Sequence, residues 1–452
     1  MVLIPTTDGR AQPTITRMFD RHVWRNWGRN QQCRPATIEA PRSELEVAES
    51  VNRARTAGQS VKVAGHGHSF TDIACTEGRM LSIDALDRVL HVDDETGVVT
   101  VEAGISIRRL NHELAARGLA LANLGDIDRQ TIAGAVSTAT HGTGHGLGGL
   151  ATFIRGIDMI TADGSLLQCS ADEEPEIFHC ARVGLGALGV VTKLQLQTVP
   201  AFNLHHLEEA RPYDEVLAGL DSLIEENDHF ELYWLPHTDK AAIIANNRTD
   251  AQADEKGAYK TWRAEVFFPN VFFGGVVVAG KVAPKLVPRL AEVVADSLGK
   301  TRLVKRSDRI FVSTRFVRFV EMEYAIPRAN AVEAMLGVRD LIDEEGLRVS
   351  FPMEVRFVAS DDIPLSTAYG RETCYIAVHM ATGVPFERYF RGVEAIMDRF
   401  DGRPHWGKMH FQTAATLAPR YPEWERFRSV RAKLDPDRSF ANPYLDRVLG
   451  PE

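Results

Sequence analysis

Thiol pairs, long apolar runs and basic tracts are all missing from this chain, and each absence closes a class of function. The five cysteines, Cys33, Cys75, Cys169, Cys180 and Cys374, are odd in number and widely scattered. None forms C-x-x-C, so neither a disulfide framework nor a thiolate zinc site is expected. A reduced compartment follows. The N-terminus has no basic segment leading into an apolar one, so no signal peptide is expected and the expected location is the cytoplasm. The most apolar stretch, VFFPNVFFGGVVVAG, lies between Glu265 and Lys281 and is broken by Pro269 and Asn270. It falls short of the roughly 20 residues a spanning helix needs, so no transmembrane segment is expected. It reads instead as a buried strand or a loop packing on a partner. The formal net charge is −9, and no Lys/Arg run looks like a phosphate-tracking surface, which argues against a nucleic-acid partner.

What is present is glycine in clusters. VAGHGHSF, Val63 to Phe70, alternates two glycines with two histidines after a short apolar run. Gly65 and Gly67 leave backbone N–H groups free to face an anion such as a pyrophosphate. A metal is the competing reading, in which His66 and His68 join His141 and His145. The spacing matches no common zinc pattern, and carboxylates and thiolates are sparse nearby. Residues 121–150 are rich in Gly, Ala, Ser and Thr, which permits close backbone approach to a large flat or anionic ligand. The interleaved Ile132, Ala133, Ala135 and Val136 give this segment a buried pattern that flexible linkers lack. Gly184-Leu185-Gly186-Ala187-Leu188-Gly189 matches G-x-G-x-x-G, but a helix is expected before it and a strand after it. A dinucleotide fingerprint needs the opposite order, so a Rossmann site is rejected.

Other signals organise the rest of the chain. Pro41 and Ser43 precede apolar residues at helical spacing, predicting a capped helix that ends at Gly58. Asp163-Gly164 predicts a hairpin turn. From about residue 203 the strands become longer and aromatic, with clear helices between them, which predicts an α+β domain on a large antiparallel sheet. One such strand, PMEVRF, places Glu354 and Arg356 two apart and therefore on one face. Side by side they can hold a polar substrate, or form a solvated ion pair worth little. In RPHWGKMHF, His405 and Lys408 bracket a Trp and a Gly. This basic pair can stabilise negative charge developing on a substrate or cofactor, or simply close a turn.

Taken in order, the blocks WRNWGRNQQC, GHGHSFTDIACTEGRMLSID, LGDIDRQTIAGAVSTATHGTG, EVRFVASDDIPLS, HWGKMH and LDPDRSFANPYLDRVLG resemble the sugar-1,4-lactone oxidases and dehydrogenases. These belong to the vanillyl-alcohol-oxidase class of flavoproteins, and the resemblance runs nearly end to end. It implies an α+β fold in three parts: a two-subdomain FAD-binding domain of that class over residues 14–200, a cap with a large antiparallel sheet over 201–415, and a C-terminal segment, 416–452, returning to the FAD domain. It implies FAD, covalently held through His68. Gly65, His66, Gly67, Ser69 and Phe70 would cradle the pyrophosphate, His66 through its backbone only. Gly125, Asp126 and Gly134, with Ser137, Thr138, His141, Gly142 and Thr143, would line the flavin and its diphosphate. Val190 and Val191 would meet the adenosine. In the cap, Glu354, Arg356, Lys408 and His405 would act on the substrate. No metal is implied. The implied reaction oxidises an L-gulono-, L-galactono- or D-arabinono-1,4-lactone at C2 to the 2-keto lactone, with hydride passing to flavin N5. Oxygen, a cytochrome or a quinone would then take the electrons. The rival on the same scaffold is the oxidation of an alditol.

Overall fold

The structure, a computed structural model, describes residues 23–254, 273–313 and 317–451. The expected domain start at residue 14 lies outside them. Near the N-terminus, a short strand β1 (Thr37–Glu39) precedes helix α1 (Glu44–Thr56). Ser43 caps α1 by accepting from the Glu46 N–H, and Gly58 leaves it at φ +63°. Strand β2 (Val61–Ala64) carries the chain into the His-rich loop, and β3 (Arg79–Ser82) lies between β1 and β2 in a parallel three-stranded sheet.

A second, antiparallel sheet follows. Its strands are β4 (Val89–Val92), β5 (Val98–Glu102), β6 (Ile154–Ile160), β7 (Leu166–Ser170) and β8 (Val190–Gln197), in the order β7-β6-β8-β5-β4. Asp163-Gly164 forms the β6–β7 turn, with Gly164 at φ +84°. Between β5 and β6 run helices α2 (Ile107–Ala115) and α3 (Ile132–Ser137). Helix α4 (Pro175–Ala181) precedes β8, so the G-x-G-x-x-G stretch follows a helix and enters a strand, as expected.

A third sheet follows, in the region expected to form the cap. Its strands are β9 (Asn203–Pro212), β10 (His229–Trp234), β11 (Lys240–Thr249), β12 (Thr301–Arg306), β13 (Phe319–Pro327), β14 (Met353–Val358), β15 (Thr373–Ala381) and β16 (Arg403–Pro404). They form one eight-stranded sheet in the order β12-β9-β11-β10-β14-β15-β13-β16, all pairs antiparallel. Helices α7 (Ala331–Glu344) and α8 (Glu387–Asp398) cover one face, packing Val338 and Phe390 into the same core as Met353, Val355 and Phe357. Period-two alternation therefore sends Glu354 and Arg356 to the other face. That face is not wet: every residue of β14 is buried.

One expectation fails here. From Phe273 the apolar stretch is helix α5 (Phe273–Val282), followed by α6 (Val287–Ser297), not a strand. Apolar residues on every side give no period to separate the two. Residues 266–272 of that stretch lie outside the described ones. Among the described residues, no helix is long and apolar enough to cross a membrane.

Two cores result. The second lies under the cap helices. The first joins β2–β8 to α9 (Trp424–Leu434) and α10 (Pro443–Leu449) at the far end of the chain. Val61 N–H donates to the Ser439 carbonyl at 2.7 Å, and the Asn442 amide donates to the carbonyls of Asp72, Ile73 and Cys75. The halves are stitched at Thr143 and Gly144. Gly144 N–H donates to Phe357 O at 2.7 Å, and Phe357 N–H donates to Thr143 Oγ1 at 3.2 Å.

Candidate active site

A cleft, partly open to solvent, runs between the loop after β2, helix α3 and the start of β8. Small residues make up much of its walls, among them Gly65, Gly67, Gly134, Thr138, Gly186 and Gly189, beside larger ones such as Trp24 and Ile73. A methyl at Gly65 would stand 2.5 Å from Thr131 Oγ1, so loop and helix close on each other only through glycine. Gly67 holds φ +68°.

The two loop histidines behave differently. His68 lines the cleft, stacked on Trp27 with ring centroids 5.8 Å apart, and its buried Nδ1 has no hydrogen-bond partner. Burial, helped by His66 and Lys408, pushes its pKa down to about 4, so the ring is neutral at pH 7. The His66 side chain is engaged within the protein, tying the loop to its neighbours. Nδ1 lies 2.5 Å from Arg129 O and Nε2 3.4 Å from Asp84, whose carboxylate raises the histidine pKa. Lys62 was not foreseen. It lines the cleft, donating to the carbonyls of Gly186 (3.1 Å) and Phe440 (3.2 Å), and burial lowers its pKa to about 7. A glycine-walled cleft, a buried amine that an anion would recharge and an unpartnered imidazole nitrogen together fit FAD.

The facing cap surface is dense in charge. Arg356 Nε donates to Glu231 Oε2 at 2.8 Å, and its Nη2 pairs with Glu354. The register explains the first contact, because Glu231 on β10 lies opposite Arg356 on β14. Burial pushes the Glu231 carboxyl up; Arg356 opposes that and Glu354 adds to it. Lys408 Nζ pairs with Glu321, whose other oxygen lies 3.6 Å from His379 Nε2. Burial alone would raise Glu321, but Lys408 and His379 outweigh it and bring it down to about 2. Burial likewise opposes the Lys408 charge, and Glu321 and Glu323 more than restore it.

Glu323 meets His141 Nε2 at 3.2 Å, and His141 stacks on Tyr375 at 3.5 Å. Beside them, His405 Nδ1 accepts from Gly407 N–H at 3.0 Å, and burial holds the ring pKa down to about 3. The single ring proton therefore sits on Nε2. His405 is a neutral donor, and the expected basic pair holds one cation, Lys408. The turn carrying both touches the cleft loop, since Phe70 N–H donates to Gly407 O at 2.7 Å.

The structure divides the predicted cofactor residues. Gly65 to Ser69, Gly134, Ser137, Thr138 and Val191 line the cleft. Val190, its strand neighbour, is fully buried in the core, as alternation demands. Phe70 lies behind the loop, packed against Phe319. Gly125, Asp126, His141, Gly142 and Thr143 are not among the cleft-lining residues. Gly142 and Gly125 sit in tight backbone packing, and Asp126 accepts from Ser313. Of the four histidines weighed as metal ligands, His141 alone joins such a group among the described residues, with Glu323 and His405 within 4.8 Å, and its contact with Glu323 accounts for the grouping. The rejected G-x-G-x-x-G loop still lines the cleft through Leu185 (φ +54°), Gly186 and Gly189. Glu231, Glu321, Glu323 and His379 were missed, although FVEMEY repeats the two-residue spacing that drew attention to Glu354 and Arg356.

Comparison with known proteins agrees with this geometry. Residues 194–448 match the D-arabinono-1,4-lactone oxidase family, and residues 35–170 match an FAD binding domain. The chain is 47% identical over 429 residues to an L-gulono-1,4-lactone dehydrogenase of Mycobacterium tuberculosis, covering 95% of this chain and 99% of that one. It is 36% identical to the L-gulonolactone oxidase of Bos taurus, covering 94% and 98%. A solvent-stable cholesterol oxidase of 18% identity shares the fold at a TM-score of 0.80, covering 94% and 97%.

Proposed function

Because the chain belongs to the D-arabinono-1,4-lactone oxidase family of FAD-dependent oxidoreductases, we propose that it oxidises an L-gulono-, L-galactono- or D-arabinono-1,4-lactone at C2 to the 2-keto lactone. The observation that carries this reading is the charge inventory of the cap face. Four carboxylates, Glu231, Glu321, Glu323 and Glu354, stand against two cations, Arg356 and Lys408. Such a surface offers acceptors to hydroxyl groups and repels a carboxylate, which suits a neutral polyhydroxylated ring better than the open-chain acid.

FAD, when bound, supplies the two-electron acceptor at N5 for the hydride that leaves C2. The chain supplies position and charge. Gly65, Gly67 and Lys62 would hold the diphosphate. His68, neutral and without a partner on Nδ1, would carry the flavin covalently. Arg356 and Lys408 would keep positive charge beside the C2 oxygen as its proton passes to solvent, which lowers the barrier where negative charge develops. Glu354 fixes Arg356 and accepts from a lactone hydroxyl. His405 contributes a donor from a ring that burial keeps uncharged.

The test is anaerobic mixing of the purified enzyme with each lactone, and with xylitol and sorbitol. Loss of the flavin absorption near ~450 nm with lactones supports the reading. Reduction by the alditols alone would assign the rival substrate class. Reoxidation by oxygen, against a cytochrome or dye, then identifies the electron acceptor. Acid precipitation reports on His68: colour should stay with the wild-type pellet and leave it in His68→Ala.

A further inference from the structure

We propose that Cys33 and Cys75 form a reversible redox site, in which hydrogen peroxide joins the two thiols as a disulfide and a thiol reductant separates them again. All five cysteines are free, but their settings differ: Cys169, Cys180 and Cys374 are buried, whereas Cys33 and Cys75 are half-buried. Both of the latter pack against one small cluster, Trp24, Ala64 and Met80. There the Cys75 thiol donates directly to the Cys33 sulfur. The backbone on both sides is pinned. Strand Gln32–Cys33 pairs with Trp24–Arg25, with Cys33 opposite Trp24. On either side of Cys33, Gln31 Nε2 donates to Phe70 O at 3.1 Å and Ala36 N–H to Gly78 O at 2.8 Å. Cys75 is fixed through its carbonyl, which accepts from the Asn442 amide at 2.9 Å. A disulfide tolerates little backbone displacement, and two sulfurs already in contact need mainly a change of side-chain torsion to bond.

The two thiols have unequal roles. The hydrogen bond from Cys75, joined by one from the Thr76 N–H, outweighs burial and brings the Cys33 pKa down to about 7. A large share of Cys33 is then thiolate at neutral pH. Cys75 is held above the ordinary thiol range by the same hydrogen bond and by burial, so it keeps its proton. Cys33 is therefore the nucleophile. Its thiolate attacks one peroxide oxygen: the S–O bond forms, the O–O bond breaks, and hydroxide leaves and takes a proton from solvent. The Cys75 sulfur then attacks the sulfenic sulfur: the S–S bond forms, the S–O bond breaks, and the hydroxyl leaves as water with the Cys75 proton. The two thiols lose two electrons, and the peroxide gains them. Peroxide enters from the medium, or from the flavin where oxygen takes its electrons. The new bond would tie the strand pair carrying Trp24 to the loop at Ile73 and Ala74, and all three residues line the cleft. Oxidation would thus constrain the cofactor cleft and leave the cap untouched.

The test is treatment of the flavin-loaded full chain with one equivalent of peroxide, then digestion without reductant and mass spectrometry. The Cys33 and Cys75 peptides should appear joined, lighter by two hydrogens, and should separate with dithiothreitol. Thiols titrated in denaturant should fall from five to three, because the buried cysteines stay reduced. Cys75→Ser should leave Cys33 as a sulfenic acid that dimedone captures, and Cys33→Ser should leave Cys75 unreacted. If either variant misfolds, the wild-type peptide map carries the test. The oxidised enzyme should open its cleft at higher urea than the reduced one, read by the rise in flavin fluorescence. Absence of the joined peptide, pairing with one of the other cysteines, or oxidation of all five alike overturns the proposal. Equal urea midpoints overturn its effect on the cleft.

Discussion

Where the cleft is walled largely by glycine and other small residues, the cap surface sets four carboxylates against two cations, with Glu321, Glu323, Glu354 and Arg356 buried. The cleft selects by closeness: Gly65 and Thr131 leave no room for a methyl between them. The cap selects by charge: Arg356 and Lys408 each depend on a carboxylate held out of water. A change of volume should therefore damage the first wall and a change of charge the second.

The largest effect expected is in the cap. Glu354→Gln keeps the shape and removes the charge, and should lower kcat on lactones by on the order of 10³-fold with flavin content unchanged. Full turnover would break the contrast. Glu231→Gln comes next. It leaves Arg356 with one carboxylate instead of two, and losing one partner of a buried pair costs about 3 kcal/mol. Urea denaturation should show that loss, with flavin again retained. Gly65→Val tests the other wall. Overpacking against Thr131 should cost roughly 2 kcal/mol, seen as weaker flavin retention, while the cap stays folded. Flavin content equal to wild type would mean that this wall does not depend on close approach.

The smallest effect expected is a pH dependence. Below the ordinary histidine pKa the unfolded chain protonates His405, whereas the folded chain refuses the proton until about pH 3. Stability therefore falls as pH drops through that window. His405→Gln should lose on the order of 2 kcal/mol less than wild type between about pH 7 and pH 5. Glu321, at about 2 in the folded chain, contributes stability that is lost only below the ordinary carboxylate range, so it does not blur the comparison. Thermal melts of both proteins at the two pH values provide the measurement.

The sequence made some of this legible and hid the rest for physical reasons. The glycine loops could be read because only glycine tolerates such backbone proximity, and the capped α1 and the Asp163-Gly164 turn are fixed by local chemistry. The pairing of Glu354 with Arg356 followed from strand alternation. Their burial did not, because it depends on the other half of the molecule covering that face of the sheet. Residues 131–138 and 141–144 share one composition, yet the first segment faces the cleft and the second hydrogen-bonds to β14, a division set by distant strands. Helix α5 was misread because its pattern has no period. Lys62 gave a usable signal, a lysine interrupting the apolar strand VKVA, that sequence reading passed over.

The contact between Lys62 and Phe440 spans 378 residues. At about 5–20 residues per second, a ribosome takes roughly 20–75 s to travel from one to the other. During that time the glycine walls of the cleft are made one after the other, up to Gly189, while the Phe440 carbonyl that meets Lys62 at its base is still missing. The cleft therefore gains its full lining only once the segment around Phe440 has been made and has packed back onto Lys62.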